Sequence, residues 1–419
     1  MQNNRRVVIT GLGALAPVGN NVPDIWKALL AGESGVAPIT QFDASEYPIR
    51  IAGEVKGFNP EEYIDAKEAR HMDRSVQLAL ASTKQALADA RLEITEDIAD
   101  RTGVVFGTGG GGFGSLLAQQ KVMEEKGIRR VSPHLMPNFL PDSSSGHVAI
   151  ATGARGPNMA VVSACATGGH AVGESMEIIR RDDADIMIAG GTEAGIYPII
   201  VAGFISMRAL ADDPDPRAAS KPFDARRNGF VLSEGTAVMI LEELEHARRR
   251  GAHVYAEVVG YGSTNDAYHP TAPRPDGAEA ARAMRRALSD GTVDPVEVDY
   301  VNAHGSSTPL GDRAEAVALR AVFGDRLAAI PVSGTKPLYG HPLGASGAIE
   351  AAIVCLVLAS GERPAAINFV ASEPGTPEAG LDLVGTNAHA PAGPPHVALS
   401  NSFGFGGINA SLVFRRCES

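Results

Sequence analysis

Short apolar runs alternate with longer segments of helical periodicity along the whole chain, which is typical of an α/β protein with buried strands. In the first half, the apolar runs predict strands at 7–11, 102–107, 159–163, 186–190 and 237–242. Helical patterns lie between them, at 22–31, 72–90 and 170–181.

A similar order of elements begins again after the basic segment 246–250. The second half predicts strands at 255–262, 298–302 and 330–334, helices at 278–289, 313–323 and 347–359, and two strands joined by a glycine-rich turn within 396–414. Because each half has a strand, a small-residue turn and then a helix, the pattern indicates a duplication. We predict two closely packed α/β halves, residues 1–250 and 251–419.

Composition narrows the class of protein. A chain of 419 residues with 44% hydrophobic and 21% charged residues is typical of a globular protein, and a net charge of -12 argues against a general nucleic-acid binder. No uninterrupted apolar run reaches the roughly 18 residues of a membrane span. Three cysteines in unrelated contexts favour a reducing cytoplasm and suggest neither a disulfide framework nor a metal site.

Cys165 is the most informative residue for chemistry. It lies in a turn of small residues between the predicted strand 159–163 and the predicted helix 170–181. A thiol at a helix N-terminus lies among unpaired N–H groups, so we expect the dipole to favour the thiolate and the amides to bind an oxyanion. A single cysteine in such a position is more often a small buried core residue.

Two histidines make a catalytic role for Cys165 the better interpretation. His304 and His341 each follow a short apolar strand and are surrounded by glycine and hydroxyl residues. A fourth motif, the segment 399–409, contains the glycine-rich turn between the two strands predicted within 396–414. Because sites assemble at the carboxyl ends of strands in open α/β sheets, we expect one cysteine and two histidines to converge.

These four motifs, in this order and spacing, resemble those of the elongating β-ketoacyl-acyl carrier protein synthases (synthase II-like), and the resemblance covers essentially the whole chain. It implies the thiolase fold, in which two duplicated α/β halves stack as five layers, α-β-α-β-α. It also implies a homodimer and an acyl carrier protein as partner. No cofactor is implied beyond the phosphopantetheine arm that carries the acyl and malonyl thioesters.

The resemblance also implies roles for individual residues. Cys165 is the nucleophile that takes the acyl chain, and the N–H groups of Cys165 and Phe403 form the oxyanion hole. His304 and His341 stabilise the enolate formed when malonyl-carrier protein loses carbon dioxide, and His304 also helps to activate a water. Lys336 and Glu350 are a charged support for the site or, equally well, a structural ion pair.

Further residues are assigned by the same resemblance. Ser306, Thr308, Gly110, Phe403 and Phe405 bind pantetheine or substrate, and Asp266, Phe403, Gly404, Gly406 and Gly407 belong to two gating loops. Elongating synthases often carry a bulky aliphatic gate at the position of Gly110, so the gate is here absent or formed by a neighbour. We hypothesise that the acyl pocket admits longer, branched or bulkier chains.

Carrier proteins are acidic, so their docking surface is expected to be locally basic despite the net charge. The candidates are Lys67, Arg70, Arg74, Arg129, Arg130 and Arg208, although ordinary exposed helix faces have the same composition. By analogy, Leu135 lines the acyl pocket of the partner subunit.

Three alternatives remain at this stage. A thiolase would share the loop around His341, but it needs a second cysteine where this chain has phenylalanine in the segment 402–407. A non-catalytic chain-length factor would lack Cys165. Nucleotide binding by the glycine-rich segment 107–114 would need the Lys-Ser/Thr of a P-loop, which is missing. Fatty acid and polyketide elongation use the same chemistry and stay open.

Overall fold

The computed structural model describes residues 5–385 and 393–417. Its strands are β1 (Val7–Leu15), β2 (Val36–Pro38), β3 (Ile51–Gly53), β4 (Thr102–Gly107), β5 (Asn158–Val161), β6 (Ile186–Glu193), β7 (Gly235–Glu243), β8 (Ala256–Asn265), β9 (Tyr300–Asn302), β10 (Pro331–Ser333), β11 (Asp382–Leu383), β12 (Val397–Gly404) and β13 (Ile408–Arg415). Its α-helices are α1 (Val22–Ala31), α2 (Ala66–Ala69), α3 (Arg74–Ala90), α4 (Glu96–Ala99), α5 (Phe113–Lys126), α6 (Leu135–Phe139), α7 (Ser143–Thr152), α8 (Thr167–Arg180), α9 (Pro198–Ser206), α10 (Leu244–Arg249), α11 (Ala278–Asp290), α12 (Pro309–Phe323), α13 (Lys336–Tyr339) and α14 (Ser346–Ser360).

Two sheets of identical topology form the framework. The first has the order β5-β4-β6-β7-β1 and the second has the order β10-β9-β12-β13-β8, with β11 added at its edge. In both, the first two neighbouring pairs are parallel and the last two are antiparallel. A short antiparallel pairing of β1 with β8 joins the sheets. The duplicated element order is therefore present, while the boundary near residue 250 stays a prediction.

Helices cover both faces of each sheet. Helices α8 and α14 pack against each other between the sheets, α3 and α7 cover the outer face of the first sheet, and α11 covers that of the second, with α12 packed against α11. The chain thus forms the five layers α-β-α-β-α that the resemblance implies.

The central pair of helices can approach closely because small residues begin both. A Cβ added at Gly168 of α8 would lie 2.3 Å from the backbone N of Ala348 in α14. The segment Leu343–Ser360 is long and apolar enough to cross a membrane by composition, but 78% of it is buried inside the protein. It is the central core helix of this fold rather than evidence for a membrane span.

Candidate active site

Cys165 lies in the single turn that connects β5 to α8. The preceding residue, Ala164, has a φ of +50°, a conformation that residues with a side chain rarely adopt. The Thr167 hydroxyl accepts a hydrogen bond from the backbone N–H of Ser163 at 2.9 Å, which closes the turn. This strained and internally bonded turn places the thiol at the N-terminal end of α8, as the sequence predicts.

Burial opposes the resting thiolate that the helix N-terminus is expected to favour. Burial raises the pKa of Cys165 to about 12, although the Lys336 ammonium lowers it in opposition. Desolvation of the charged form therefore outweighs the favourable end of the helix. The sulfur is a thiol at neutral pH, so its proton must leave during acyl transfer.

His304 and His341 face each other across the same cavity. Their ring centroids lie 5.3 Å apart with an interplanar angle of 78°. Burial, reinforced by the nearby positive charge of Lys336, lowers the pKa of both imidazoles well below the ordinary histidine value. Both rings are therefore neutral at physiological pH.

Lys336 selects the tautomer of His304. Its Nζ lies 3.5 Å from Nδ1 of His304, contacts the backbone carbonyl of His304, and forms a buried ion pair with Glu350. An ammonium can only donate, so Nδ1 must accept and the ring proton sits on Nε2. His304 thus has a hydrogen-bond donor on the nitrogen that is not engaged by Lys336.

His341 is fixed on its other nitrogen. Nδ1 lies 2.8 Å from the Ser346 hydroxyl, at the start of α14, and the backbone N–H donates to the Val231 carbonyl at 2.7 Å. The edge of Phe230 packs on the ring, with the two centroids 5.2 Å apart. These contacts hold the imidazole in one orientation and leave Nε2 for the cavity.

Two cavities meet at Cys165. One is lined by the thiol, both histidines and several predicted site residues, namely Asp266, Ser306, Thr308, Phe403, Gly404, Phe405 and Gly407. The other, of about 350 Å³, is apolar and is lined by Gly110, Phe113, Ile199, Ile200, Phe204 and Met207, together with Cys165, Leu343 and Phe405. A group attached to Cys165 could thus lie in the apolar cavity while a second molecule approaches from the histidine side.

The hydroxyl pair expected to contact pantetheine lies on the histidine side. The Ser306 and Thr308 oxygens are 2.9 Å apart, and the Thr308 oxygen accepts a hydrogen bond from the backbone N–H of Gly311 in the first turn of α12. Their positions are therefore fixed by the helix cap. They present polar atoms to an otherwise largely apolar channel.

The predicted oxyanion hole has a second candidate donor. The backbone N–H of Phe405 acts on the Cys165 sulfur and lowers its pKa, while the Phe403 donor stays a prediction. Between them, Gly404 passes so close that a Cβ there would lie 3.1 Å from the Cys165 backbone N. The Phe403 ring instead packs near His304, at a centroid distance of 6.0 Å.

The two predicted gating loops are hydrogen-bonded to each other. The Asp266 N–H donates to the Gly407 carbonyl at 2.8 Å, and the Gly406 N–H donates to the Pro270 carbonyl at 2.7 Å. The Asp266 side chain accepts from Asn409 at 2.8 Å. Movement of one loop alone must therefore break its contacts with the other.

Gly110 lacks a side chain, but the ring of Phe113 occupies the space that a side chain there would need. A Cβ at this position would lie 1.9 Å from the nearest ring carbon of Phe113. Of the two possibilities that the sequence leaves open, a gate formed by a neighbour is the one that this packing supports. The apolar cavity is thus not enlarged simply by the absence of a side chain at position 110.

Among the predicted docking residues, Arg74 differs from expectation. Its Nε and Nη2 donate to the two carboxylate oxygens of buried Glu234, each at 2.8 Å, so its charge is already neutralised. Within the described part of the chain, no acidic side chain lies within ion-pairing distance of the other five: Lys67, Arg70, Arg129, Arg130 and Arg208. Those five stay predictions.

Sequence reasoning missed two buried glutamates. Glu193, at the end of β6, accepts hydrogen bonds from the N–H groups of Gly109 at 2.8 Å and Gly344 at 3.0 Å, and burial raises its pKa to about 7. Glu315 of α12 accepts from the backbone N–H of His304 at 2.8 Å. The first joins the glycine-rich segment to the His341 loop, and the second orients the His304 loop. An acidic residue that ends a buried strand was the signal for Glu193.

A third omission is His170, in the first turn of α8. Its Nδ1 lies 2.7 Å from the Ser163 hydroxyl and its Nε2 lies 3.1 Å from the Ser263 hydroxyl of β8. Burial lowers its pKa to about 4, so the ring is neutral. It connects the turn that carries Cys165 to the second half of the molecule.

Duplicated α/β halves in five layers, with a buried cysteine and two neutral histidines at their junction, define a thiolase-fold acyltransferase. Comparison with known proteins makes the assignment specific. The family models for the N-terminal and C-terminal domains of β-ketoacyl synthase match residues 4–247 and 255–370.

Relatives match over the full length. The chain is 46% identical over 419 residues to a Staphylococcus aureus (strain COL) protein named 3-oxoacyl-(acyl-carrier-protein) synthase 2, covering all of both chains. It is 47% identical over 415 residues to a Synechocystis protein of the same name, covering 99% of each.

Solved structures agree with this match. A β-ketoacyl synthase from Burkholderia phymatum has a TM-score of 0.90 at 34% identity, covering 99% of this chain and all of that one. A type II polyketide ketosynthase in complex with its acyl-carrier protein has a TM-score of 0.89 at 33% identity, with the same coverage. The chain belongs to the β-ketoacyl synthase family and is an acyltransferase of the chain-elongating condensation.

Proposed function

We propose that the protein condenses an acyl group, held as a thioester on Cys165, with malonyl-acyl carrier protein to give β-ketoacyl-acyl carrier protein and carbon dioxide. The observation that carries this proposal is that Cys165 lies between an apolar cavity and a cavity holding two neutral histidines. The relatives named for acyl-carrier-protein synthesis and the ketosynthase bound to its carrier support the choice of substrate.

In the first half-reaction, the Cys165 sulfur attacks the thioester carbonyl of an acyl carrier. The thiol proton passes to the departing pantetheine sulfur, with a neutral histidine as the relay. The N–H groups of Cys165 and Phe405 stabilise the tetrahedral oxyanion. The acyl chain then occupies the apolar cavity beside Phe113 and Ile199.

In the second half-reaction, malonyl-carrier protein enters from the histidine side, where Ser306 and Thr308 contact its pantetheine arm. Loss of carbon dioxide leaves an enolate whose oxygen accepts hydrogen bonds from Nε2 of His304 and His341. These donors favour the transition state because the charge on that oxygen develops only there. The enolate carbon attacks the acyl carbonyl, and Cys165 leaves as the thiolate and takes up a proton from solvent.

The alternatives fit the site less well. A thiolase would need a second cysteine as a base, but Cys355 is buried within α14 and Cys417 lies in the C-terminal segment, and neither lines the two cavities. A non-catalytic chain-length factor would lack the nucleophile that is present here. Housekeeping fatty acid elongation is the pathway that we favour on the names of the full-length relatives.

The same proposal includes the cofactor, the oligomeric state, the compartment and the docking surface of the enzyme. The enzyme needs no cofactor beyond the phosphopantetheine of its carrier, and it acts as a homodimer in the cytoplasm. Three cysteines that remain unpaired thiols support a reducing compartment. Acidic carriers dock on the surface that carries Lys67, Arg70, Arg129, Arg130 and Arg208.

Intact-mass analysis of the purified protein with a panel of acyl-carrier substrates tests the proposal. We expect one acyl adduct per chain, absent in Cys165→Ala and retained in the matched control Cys417→Ala, and turnover to β-ketoacyl product on addition of malonyl-carrier protein. Formation of acetyl-CoA from acetoacetyl-CoA and CoA without any carrier would instead establish a thiolase.

A further inference from the structure

We propose that Phe113, the first residue of α5, determines the length and bulk of the acyl chain that Cys165 accepts. The inference rests on the proposed function, since it assigns the apolar cavity to the acyl chain. It replaces the simpler hypothesis that a missing side chain at Gly110 leaves the pocket open.

A side chain at position 110 and the ring of Phe113 would compete for the same space. The Cβ position of Gly110 lies 1.9 Å from Cε2 and 2.1 Å from Cζ of Phe113. No side chain at position 110 can coexist with the ring in its present rotamer, since heavy atoms in contact normally lie about 3.5–4.0 Å apart. The space that a side chain at position 110 would occupy is therefore filled by the ring of Phe113.

The backbone around this ring is held in place. Glu193 accepts from the Gly109 N–H at 2.8 Å, and the Thr108 hydroxyl accepts from the Gly111 N–H at 3.1 Å. On the other side, buried Asp73 accepts from the backbone N–H and the hydroxyl of Ser115, at 2.8 and 2.9 Å. Because both flanks are hydrogen-bonded, the space can change mainly by rotation of the Phe113 side chain.

The surroundings of Phe113 are suited to an alkyl chain. The ring is partly exposed and shares its cavity with Ile199, Ile200, Phe204 and Met207, and Cys165 lines the same cavity. A chain that grows from Cys165 into this cavity encounters the ring, and each further methylene must displace it or stop. The ring position therefore discriminates between acyl chains by size.

The test is a double-mutant cycle on positions 110 and 113, with kcat/KM measured for a series of acyl-carrier substrates of increasing length and branching. Phe113→Ala should raise the long-to-short ratio of kcat/KM by about tenfold, a typical value for a change of pocket size. Gly110→Ile in that background should restore the original ratio. In the wild-type background, Gly110→Ile should exclude all but the shortest chains, so the two effects are strongly non-additive.

Two further variants keep the result interpretable. Leu117→Ala, one turn along α5 and outside both cavities, should leave the ratio unchanged, and Phe113→Leu should give an intermediate ratio if Phe113→Ala does not fold. The inference would be overturned if acyl adducts form on Cys165 but the Phe113 variants leave the long-to-short ratio of kcat/KM unchanged. Additive effects of substitutions at positions 110 and 113 would overturn it as well. Absence of any acyl adduct in the wild-type protein would instead refute the proposed function.

Discussion

At the scale of single residues, the site depends on keeping ionisable groups neutral. Burial raises the pKa of the Cys165 thiol to about 12 and lowers the pKa values of both histidines. The Lys336–Glu350 pair places a positive charge in this site, because its ammonium lies against His304. Lys336 therefore acts on the reaction through His304, by fixing its tautomer and keeping it unprotonated.

Replacing this ammonium should change the pH dependence of condensation. In Lys336→Met, one cause that lowers the pKa of His304 is removed, so that pKa rises although burial still opposes protonation. Protonated His304 then appears at a higher pH than in the wild type. We expect the acid limb of kcat/KM for malonyl-carrier protein to move to higher pH, measured between about pH 5 and pH 8.

The matched control is Glu350→Gln, which removes the partner but keeps the ammonium beside His304. Its acid limb should stay in place or move to lower pH, because the positive charge is then less compensated. Melting temperatures separate this effect from the loss of stability expected when a buried pair is broken. An acid limb at the same pH in Lys336→Met and wild type would contradict the argument.

The sequence predicted which residues meet but not how their environment acts on them. The positions of Cys165, His304 and His341 could be predicted because each lies in a segment of small residues after a predicted strand. The protonation state of Cys165 could not be predicted, since it depends on burial contributed by segments far away in the chain. The sequence did not separate Phe403 from Phe405 as the oxyanion donor, because two phenylalanines separated by one glycine are equivalent until the turn geometry is known.

At the scale of elements, the paired loops beside Phe405 form one unit. Gly406 and Gly407 have φ values of +80° and +67°, and a Cβ on Gly407 would lie 2.5 Å from the Cβ of Asp266. The close contact and the left-handed backbone both require glycine. The hairpin between β12 and β13 thereby holds the Phe405 amide against Cys165.

Gly407→Ala should separate the loop that contains Gly407 from the loop that contains Asp266. The added methyl group must push the Asp266 loop away, which displaces the Phe405 N–H from the sulfur, so we expect kcat/KM for acylation of Cys165 to fall by about tenfold or more. The control is Gly375→Ala, at a φ of +79° with no atom within 4 Å of the added Cβ, which costs only the backbone strain of about 1 kcal/mol. Equal acylation rates in the two variants would show that the loop contact is not needed.

Elements were predictable where a periodic pattern coincided with burial. Helix α1 and strand β4 match their predicted bounds, and the predicted strand pair near the C-terminus is β12 and β13. Helix α5 was missed because it has no buried residue and therefore no apolar stripe. Its first residue, Phe113, was consequently not recognised as part of the acyl cavity.

At the scale of the whole molecule, one edge of β5 has no strand paired with it in the part of the single chain that the structure describes. It pairs with β4 on one side only, and it is the outermost strand of the first sheet. Met159 and Val162 are 41% and 51% exposed, and Met136 and Leu140 nearby in sequence are 53% and 39% exposed. An exposed apolar edge strand is a liability in a stable protein unless another chain covers it, and a second copy is the partner implied by the proposed homodimer.

The double variant Met159→Asp/Val162→Asp should therefore be monomeric, because one charge on β5 and one directly after it oppose burial against a second copy. Sedimentation velocity measures the mass, and Val296→Asp, a change at a 61% exposed apolar residue in the second half, should leave it unchanged. Since β5 leads directly into the Cys165 turn, the monomer should also acylate more slowly. Unchanged mass in the double variant would place the dimer contact elsewhere, and a fully active monomer would show that β5 positions Cys165 without help from a partner.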